Sequence, residues 1–241
     1  MTAPPQAVVV TGASSGIGRA VAADLAGRGF IVGGLSRRGT VPGGGPNVIG
    51  FAVDVTEEIA VRAAVDELAA RGVLAGVVNA AGFHRSGASA SLPAQELRNV
   101  FETNCVAAHT VCCSAYPHLV ASGEGLIVNI GSFYDRLGVP QSLAYSASKA
   151  ALASLTRTLA VEWAKDGIRV LNVAPGYVHT GLNDEFMSDP ASRAKIERRI
   201  PARRLGEPGE VGRLVGMLFA EPVSYLTGTT IYLDGGQGVA L

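Results

Sequence analysis

The sequence predicts an α/β chain with a doubly wound parallel sheet, and three observations carry that reading. Seven short runs are almost continuously apolar, where a half-exposed strand would alternate. Amphipathic segments separate most of them, giving repeated strand–helix–strand units. The first run leads into a glycine-rich turn that opens the first helix, as in folds that bind a ligand at the ends of parallel strands.

Each run has the length of a buried strand. They are "AVVVTG" (7–12), "FIVGGLS" (30–36), "VIGFAVDV" (48–55), "AGVVNAAG" (75–82), "LIVNIGS" (126–132), "IRVLNVAPG" (168–176) and "TIYLDGG" (230–236). Continuous apolar character means burial on both faces, with helices covering the sheet on each side. Helices are expected near 16–28, 57–71, 94–120, 144–166 and 207–220. Between the second and third strands lies "RRGTVPGGGPN", too short and too rich in Gly and Pro for a helix, so a loop is expected there. The long stretch 177–206 reads as a substrate lid or binding loop.

Size and composition narrow the function. The 241 residues suit a single domain spanning 1–241, and 48% hydrophobic against 17% charged residues describes a globular chain with a large core. Formal net charge is zero, which points away from nucleic acid or an anionic membrane as the main partner. No apolar stretch reaches the roughly 18–20 residues that span a bilayer, and the opening "MTAPPQAVVVTG" does not read as a signal peptide. Cys105, Cys112 and Cys113 have neither metal-ligand nor disulfide spacing, and a reducing, cytoplasmic setting is expected.

The glycine turn is "TGASSGIGRAV". Gly12, Gly16 and Gly18 let the chain turn tightly and let backbone approach a pyrophosphate, while the helix start offers N–H groups to phosphate. Ser14 and Ser15 can donate hydroxyl bonds in the same place. Asp54, at the end of the third strand, suits either an adenine amino group or the start of the next helix. The small residues after Asn79 allow a ligand to pass close by.

"SLAYSASKAAL" contains one of only three lysines in a chain with seventeen arginines. Four residues apart in a helix, Tyr145 and Lys149 share a face. A free tyrosine titrates near 10, and a cation within about 4–6 Å favours the phenolate. Lys149 is therefore expected to tune Tyr145 as a proton donor and acceptor while reaching a cofactor ribose. Ser132, ending the fifth strand, can bond the same carbonyl oxygen. Asn104 can hold a water for proton relay.

Taken together, "TGASSGIG", "DV" at 54–55, "NAAG", Asn104, Ser132, "YSASK" and "PG" at 175–176 followed by Thr180 resemble the short-chain dehydrogenase/reductases, in family order along essentially the whole chain. The resemblance implies a Rossmann-type seven-stranded sheet in the order 3-2-1-4-5-6-7. It also implies a catalytic tetrad of Asn104, Ser132, Tyr145 and Lys149. The cofactor contacts it implies add Ile17, Val55, Asn79, Ala80, Gly82, Pro175, Gly176, Val178 and Thr180 to the glycine turn. A homotetramer packed through the helices near 94–120 and 144–166 is a further implication. "PARRLGEPGE" and "YLTGTTIYLDGG" look like bacterial 3-oxoacyl-[acyl-carrier-protein] reductases and related alcohol or sugar dehydrogenases.

NADP(H) is the expected cofactor. An acid at the end of the second strand selects NAD. Here Ser36 stands there, followed by Arg37 and Arg38, and serine and arginine can hold a 2′-phosphate. By the family resemblance Arg37 is the better candidate, and Arg38 is expected to face solvent. The activity expected is reversible reduction of a ketone to a secondary alcohol. Two alternatives stay open: an NAD-dependent alcohol or sugar dehydrogenase, and a non-catalytic cofactor-sensing regulator, against which the intact tetrad speaks. Candidate substrate contacts are His84, Arg85, Phe133, Tyr134, Gln141, Leu143, Tyr177 and His179. The basic stretch "RAKIERRIPARR" (193–204) suits either an acyl carrier or coenzyme A thioester, or an ordinary solvated helix and turn.

Overall fold

A computed structural model describes residues 4–181, 189–221 and 223–240. Its centre is a parallel sheet of seven strands in the order β3-β2-β1-β4-β5-β6-β7. The strands are β1 (Gln6–Thr11), β2 (Ile31–Ser36), β3 (Val48–Ala52), β4 (Val73–Asn79), β5 (Gly125–Ile130), β6 (Ile168–Pro175) and β7 (Thr230–Leu233). This is the order that the family resemblance implied.

The apolar runs are continuous because both faces are covered. In β1, Ala7 and Val9 pack into one core while Val8 and Val10 pack into the other. Helices α1 (Gly16–Gly27) and α7 (Pro208–Ala220) cover the second face through Val21, Leu25, Val211 and Val215. Helices α2 (Glu58–Ala69), α4 (Ala107–Ser122) and α5 (Leu143–Trp163) cover the first through Val65, Leu68, Val111, Leu119 and Leu159. Completely burying one such side chain contributes about 1.5–3 kcal/mol, so these stripes hold the layers together.

The structure departs from the sequence expectation in three places. The helix expected over 94–120 is interrupted: α3 (Ala94–Phe101) passes through a π-helical turn at Glu102–Val106 before α4 begins. Such turns interrupt the hydrogen-bond ladder and are common at functional sites. The strand expected over 48–55 ends at Ala52, because Asp54 turns the chain instead: its Oδ1 accepts from Thr56 N (3.1 Å) and Oγ1 (2.8 Å). Within 177–206 lies a further helix, α6 (Pro190–Glu197), capped by Asp189 accepting from Ala191 N and Ser192 N. The lid expected over 177–206 also includes 182–188, which fall outside the described residues.

The order of strands reverses between β1 and β4. That is where an open parallel sheet leaves a crevice at its carboxyl ends, and there the functional residues gather.

Candidate active site

A cleft of about 1000 Å³ opens at the carboxyl ends of β1, β2 and β4. Its floor is the glycine turn. Gly12 has φ +67°, and a Cβ there would meet the Ala80 carbonyl oxygen at 2.9 Å. A Cβ on Gly18 would collide with the Gly12 carbonyl. These positions keep the turn flush against β4 and bring backbone to the cleft wall. Ser15 stands at the N-cap of α1 with no side-chain cap bond. The first-turn N–H groups, which have no intrahelical acceptor, are therefore left to an anion.

The far wall is Ser36, Arg37, Arg38, Asp54 and Val55. The Ser36 hydroxyl is buried and has no hydrogen-bond partner among the described residues, which fits a donor to an oxygen-rich group. Arg38 does not simply face solvent as expected. Its Nη2 donates to Ser14 Oγ (2.8 Å) and to the Ser14 carbonyl (3.0 Å), tying the end of β2 to the glycine turn. The bonds from Thr56, with the Arg37 charge adding to them, hold the Asp54 carboxyl below its ordinary value. An uncapped helix start, a glycine floor and an unpartnered serine hydroxyl beside two arginines fit a phosphorylated dinucleotide.

Ala80, Gly82 and Thr180 lie between this cleft and a second cavity of about 740 Å³, and line both. Ser132, Tyr145, Lys149, Pro175, Gly176 and Val178 line the second cavity. Asn79 does not line either. Its amide is buried under α4, donating to Asn129 Oδ1 (2.9 Å) and the Ala108 carbonyl (3.3 Å). The side chain at this strand position points into the helix-covered face, so only the residues after it reach the ligand side.

Tyr145 and Lys149 lie one turn apart on α5, as the spacing required. Their electrostatic relation differs from expectation. Burial pushes the Tyr145 phenol above its ordinary pKa, with the Ser132 hydroxyl acting in the opposite direction. Lys149 Nζ is 5.7 Å from the ring centroid and donates instead to the Ile130 carbonyl at 2.7 Å. Its own charge is destabilised by burial, which brings it from 10.5 to about 8. Loss of solvent outweighs a cation at that distance, so in this state Lys149 does not draw the phenol down.

Asn104 also differs. It sits in the π-helical turn and is 1% exposed. Its Oδ1 accepts from Phe83 N (3.0 Å), and its Nδ2 donates to the Phe83 carbonyl (3.0 Å) and Ser148 Oγ (3.1 Å). Both amide donors are engaged, so the side chain clamps the segment after β4 to α5, and the second lone pair of Oδ1 is what it has left for a water.

Five rings surround the Tyr145 side of the cavity. His84 packs edge-on against Tyr145 (5.1 Å between centroids), and Tyr134 does so at 5.8 Å. Phe133 and Tyr177 complete the cluster, with Tyr134 Oη 2.8 Å from Tyr177 Oη. Burial, then the Tyr177 bond, drives the Tyr134 phenol far above its ordinary pKa, so it is no competing base. His84 Nε2 lies 3.1 Å from Ser142 Oγ, and burial lowers its imidazole below 6.5. Gln141 lines the cavity; Leu143 and His179 do not. Arg85 pairs with Glu96 at 3.1 Å. Ser142, Val139 and Pro140 line the cavity without having been singled out. The signal for them was position alone, in the loop that returns the chain from Ser132 to Tyr145.

In the basic stretch 193–204, Arg193 pairs with Glu197 (2.9 Å) and Arg204 forms a two-bond pair with Glu210 (2.7 and 2.8 Å). Arg203 donates to the Arg198 carbonyl. Half of its six cations are thus engaged within the chain. Among the described residues no cluster of His, Cys, Asp or Glu could hold a metal ion, and no helix is long and apolar enough to cross a membrane.

The buried ammonium gives a stability prediction. Lys149 is 5% exposed, and a depression from 10.5 to about 8 corresponds to roughly 3 kcal/mol against the charged form. The lost bond to Ile130 returns about 1 kcal/mol. Lys149→Met should therefore raise the melting temperature of the cofactor-free chain at pH 7. The folded chain binds fewer protons than the unfolded chain between about 8 and 10.5, so wild-type stability should rise with pH across that window and the gap should close. Calorimetry from pH 7 to 10.5 checks this; a less stable Met variant at pH 7 would contradict the buried-charge assignment.

A dinucleotide cradle joined to a tyrosine–lysine–serine cavity defines an oxidoreductase. The chain belongs to the short-chain dehydrogenase/reductase family. Residues 12–237 match the family model described as enoyl-(acyl carrier protein) reductase. A 3beta-hydroxysteroid dehydrogenase 1 of Eggerthella lenta is 35% identical, over 95% of this chain and 92% of that protein. The chain is 37% identical to an uncharacterized short-chain type dehydrogenase/reductase of Sinorhizobium fredii over 97% of its own length, but spans only 44% of that relative. Among solved structures, a gluconate 5-dehydrogenase from Burkholderia cenocepacia in complex with NADP and tartrate superposes with a TM-score of 0.88. It is 29% identical, with 100% of this chain and 97% of that one covered. A putative gluconate dehydrogenase from Agrobacterium tumefaciens gives 0.91 at 31% identity, covering 98% and 97%.

Proposed function

We propose that the protein reduces a ketone to a secondary alcohol, reversibly, with NADP(H) as cofactor. The observation that carries this is the convergence of Tyr145, Ser132 and Lys149 on one cavity that shares a wall with the glycine cleft. When bound, the nicotinamide supplies or accepts hydride. Ser132 donates a hydrogen bond to the substrate oxygen, and Tyr145 transfers the proton to it. A phenol raised by burial keeps its proton at neutral pH until charge develops on that oxygen, which suits reduction. Lys149 holds the cofactor ribose and supplies positive charge beneath Tyr145. Asn104 keeps the post-β4 segment in register with α5 through Phe83 and Ser148. Thr180, Val178, Pro175 and Gly176 border the nicotinamide end. Ser36 with Arg37, aided by Arg38, holds the 2′-phosphate. An NAD-dependent alcohol or sugar dehydrogenase would need an acid where Ser36 stands.

The test is direct: absorbance loss of NADPH with a panel of ketones. Turnover supports the reading; no turnover of any carbonyl compound with either cofactor overturns it.

The chain is further proposed to be cytoplasmic, in keeping with its free cysteines Cys105, Cys112 and Cys113, and to form a tetramer through α4 and α5. Val120 and Val161 are exposed along these helices, Val161 at 81%, and Val106 is exposed in the π-helical turn just before α4. Light scattering at micromolar concentration should give four times the 24.7 kDa chain mass; a monomer mass would count against it.

A further inference from the structure

We propose that the substrate is an uncharged, ring-bearing ketone, seated against Phe133, Tyr134 and Tyr177, and neither a carboxylate or phosphate ester nor an open-chain carrier thioester. This rests on the ketone-reducing reading above and specifies its substrate.

The first support is charge. Among the described residues lining the cavity, Lys149 is the only charged side chain, and its ammonium is directed at the Ile130 carbonyl. Burial disfavours the charged form of the His84 imidazole. The nearby basic groups are occupied elsewhere: Arg85 with Glu96, and Arg204 with Glu210. Among the described lining residues an anionic tail would meet no cation other than the Lys149 ammonium, already bonded to Ile130, and an unpaired buried charge is strongly disfavoured.

The second support is shape. Phe133 packs edge-on against Tyr134 (4.8 Å) and Tyr177 (5.4 Å), and Tyr134 packs edge-on against Tyr145 (5.8 Å). Rings that brace one another make a fixed apolar wall. A rigid ring loses little freedom on meeting it, whereas a flexible chain must give up its rotors.

The third support is the pair of phenols. In the Tyr134–Tyr177 contact one hydroxyl donates and the other accepts. The accepting hydroxyl retains its own proton to donate. That offers one neutral hydrogen bond to an oxygen on the ring away from the ketone, which is recognition for a hydroxyl, ether or second carbonyl.

The experiment compares kcat/KM for 4-methylcyclohexanone, 4-oxocyclohexanecarboxylate and the acetoacetyl thioester of N-acetylcysteamine, in wild type and Val139→Lys. Val139 lines the cavity from a loop and lies outside the groups proposed to act on substrate or cofactor. The neutral ring is expected to exceed the carboxylate by about 10²-fold or more and to exceed the thioester. Val139→Lys should raise the carboxylate's kcat/KM about tenfold or more by supplying the missing cation. Equal use of the methyl and carboxylate compounds by the wild type, or a thioester used better than the ring, overturns the assignment while leaving ketone reduction intact. Turnover of none of the three, with turnover of a charged or open-chain ketone, also overturns it alone; no turnover of any carbonyl compound overturns the reductase reading as well.

Discussion

Tyr145→Phe should leave the fold and the affinity for cofactor nearly unchanged and lower ketone turnover by about 10²-fold or more, the scale of lost general acid catalysis. The substitution removes one oxygen. The ring keeps its edge contacts with His84 and Tyr134, so packing is conserved. What disappears is the phenol hydroxyl that lines the cavity with Ser132 and is raised by burial. The measurements are cofactor affinity by fluorescence titration and turnover by absorbance. Near-normal turnover by a folded Tyr145→Phe chain would remove Tyr145 from the chemistry, and the phenol pair at Tyr134 and Tyr177 would need a new account.

Ser36→Asp combined with Arg37→Ala should reverse cofactor preference from NADPH to NADH. Hydrogen bonds to charged groups contribute about 1.5–3 kcal/mol each, or roughly 10–150-fold in affinity. Losing the arginine while adding a carboxylate that repels phosphate should swing the kcat/KM ratio by about 10²-fold or more. The Ser36 hydroxyl is buried without a partner among the described residues, so its replacement breaks no bond seen there. Arg38 retains its bonds to Ser14 and keeps the glycine turn anchored. Wild-type preference for NADH, or equal use of both cofactors, would contradict the assignment at the end of β2.

The fold was legible because parallel strands covered on both faces leave a simple trace, seen in the unbroken apolar run of β1. The glycine turn was legible for a related reason. At Gly12 and Gly18 a Cβ would strike backbone, so the residue type itself reports the constraint. Tyr145 and Lys149 were legible because helix geometry fixes their common face. Other features depended on partners distant along the chain. Lys149 chooses the Ile130 carbonyl, nineteen residues back, and no spacing rule encodes that choice. Asn104 clamps Phe83, twenty-one residues back, through a π-helical turn. Arg38 reaches Ser14 across twenty-four residues, and Asn79 turns inward to Asn129 on the neighbouring strand. In each case the deciding atom is a carbonyl, amide or hydroxyl brought close by the packing of the sheet.

Hydride and proton transfer within one cavity can be tested in a single experiment. NADPH carrying deuterium at the transferable C4 position is incubated with a ketone that the wild type reduces, and the alcohol is analysed by mass spectrometry and NMR. One deuterium at the carbinol carbon is expected for the wild type. Tyr145→Phe should form the same labelled product about 10²-fold more slowly with unchanged cofactor affinity. An alcohol carrying no deuterium at that carbon, or one formed at the wild-type rate by Tyr145→Phe, would contradict it.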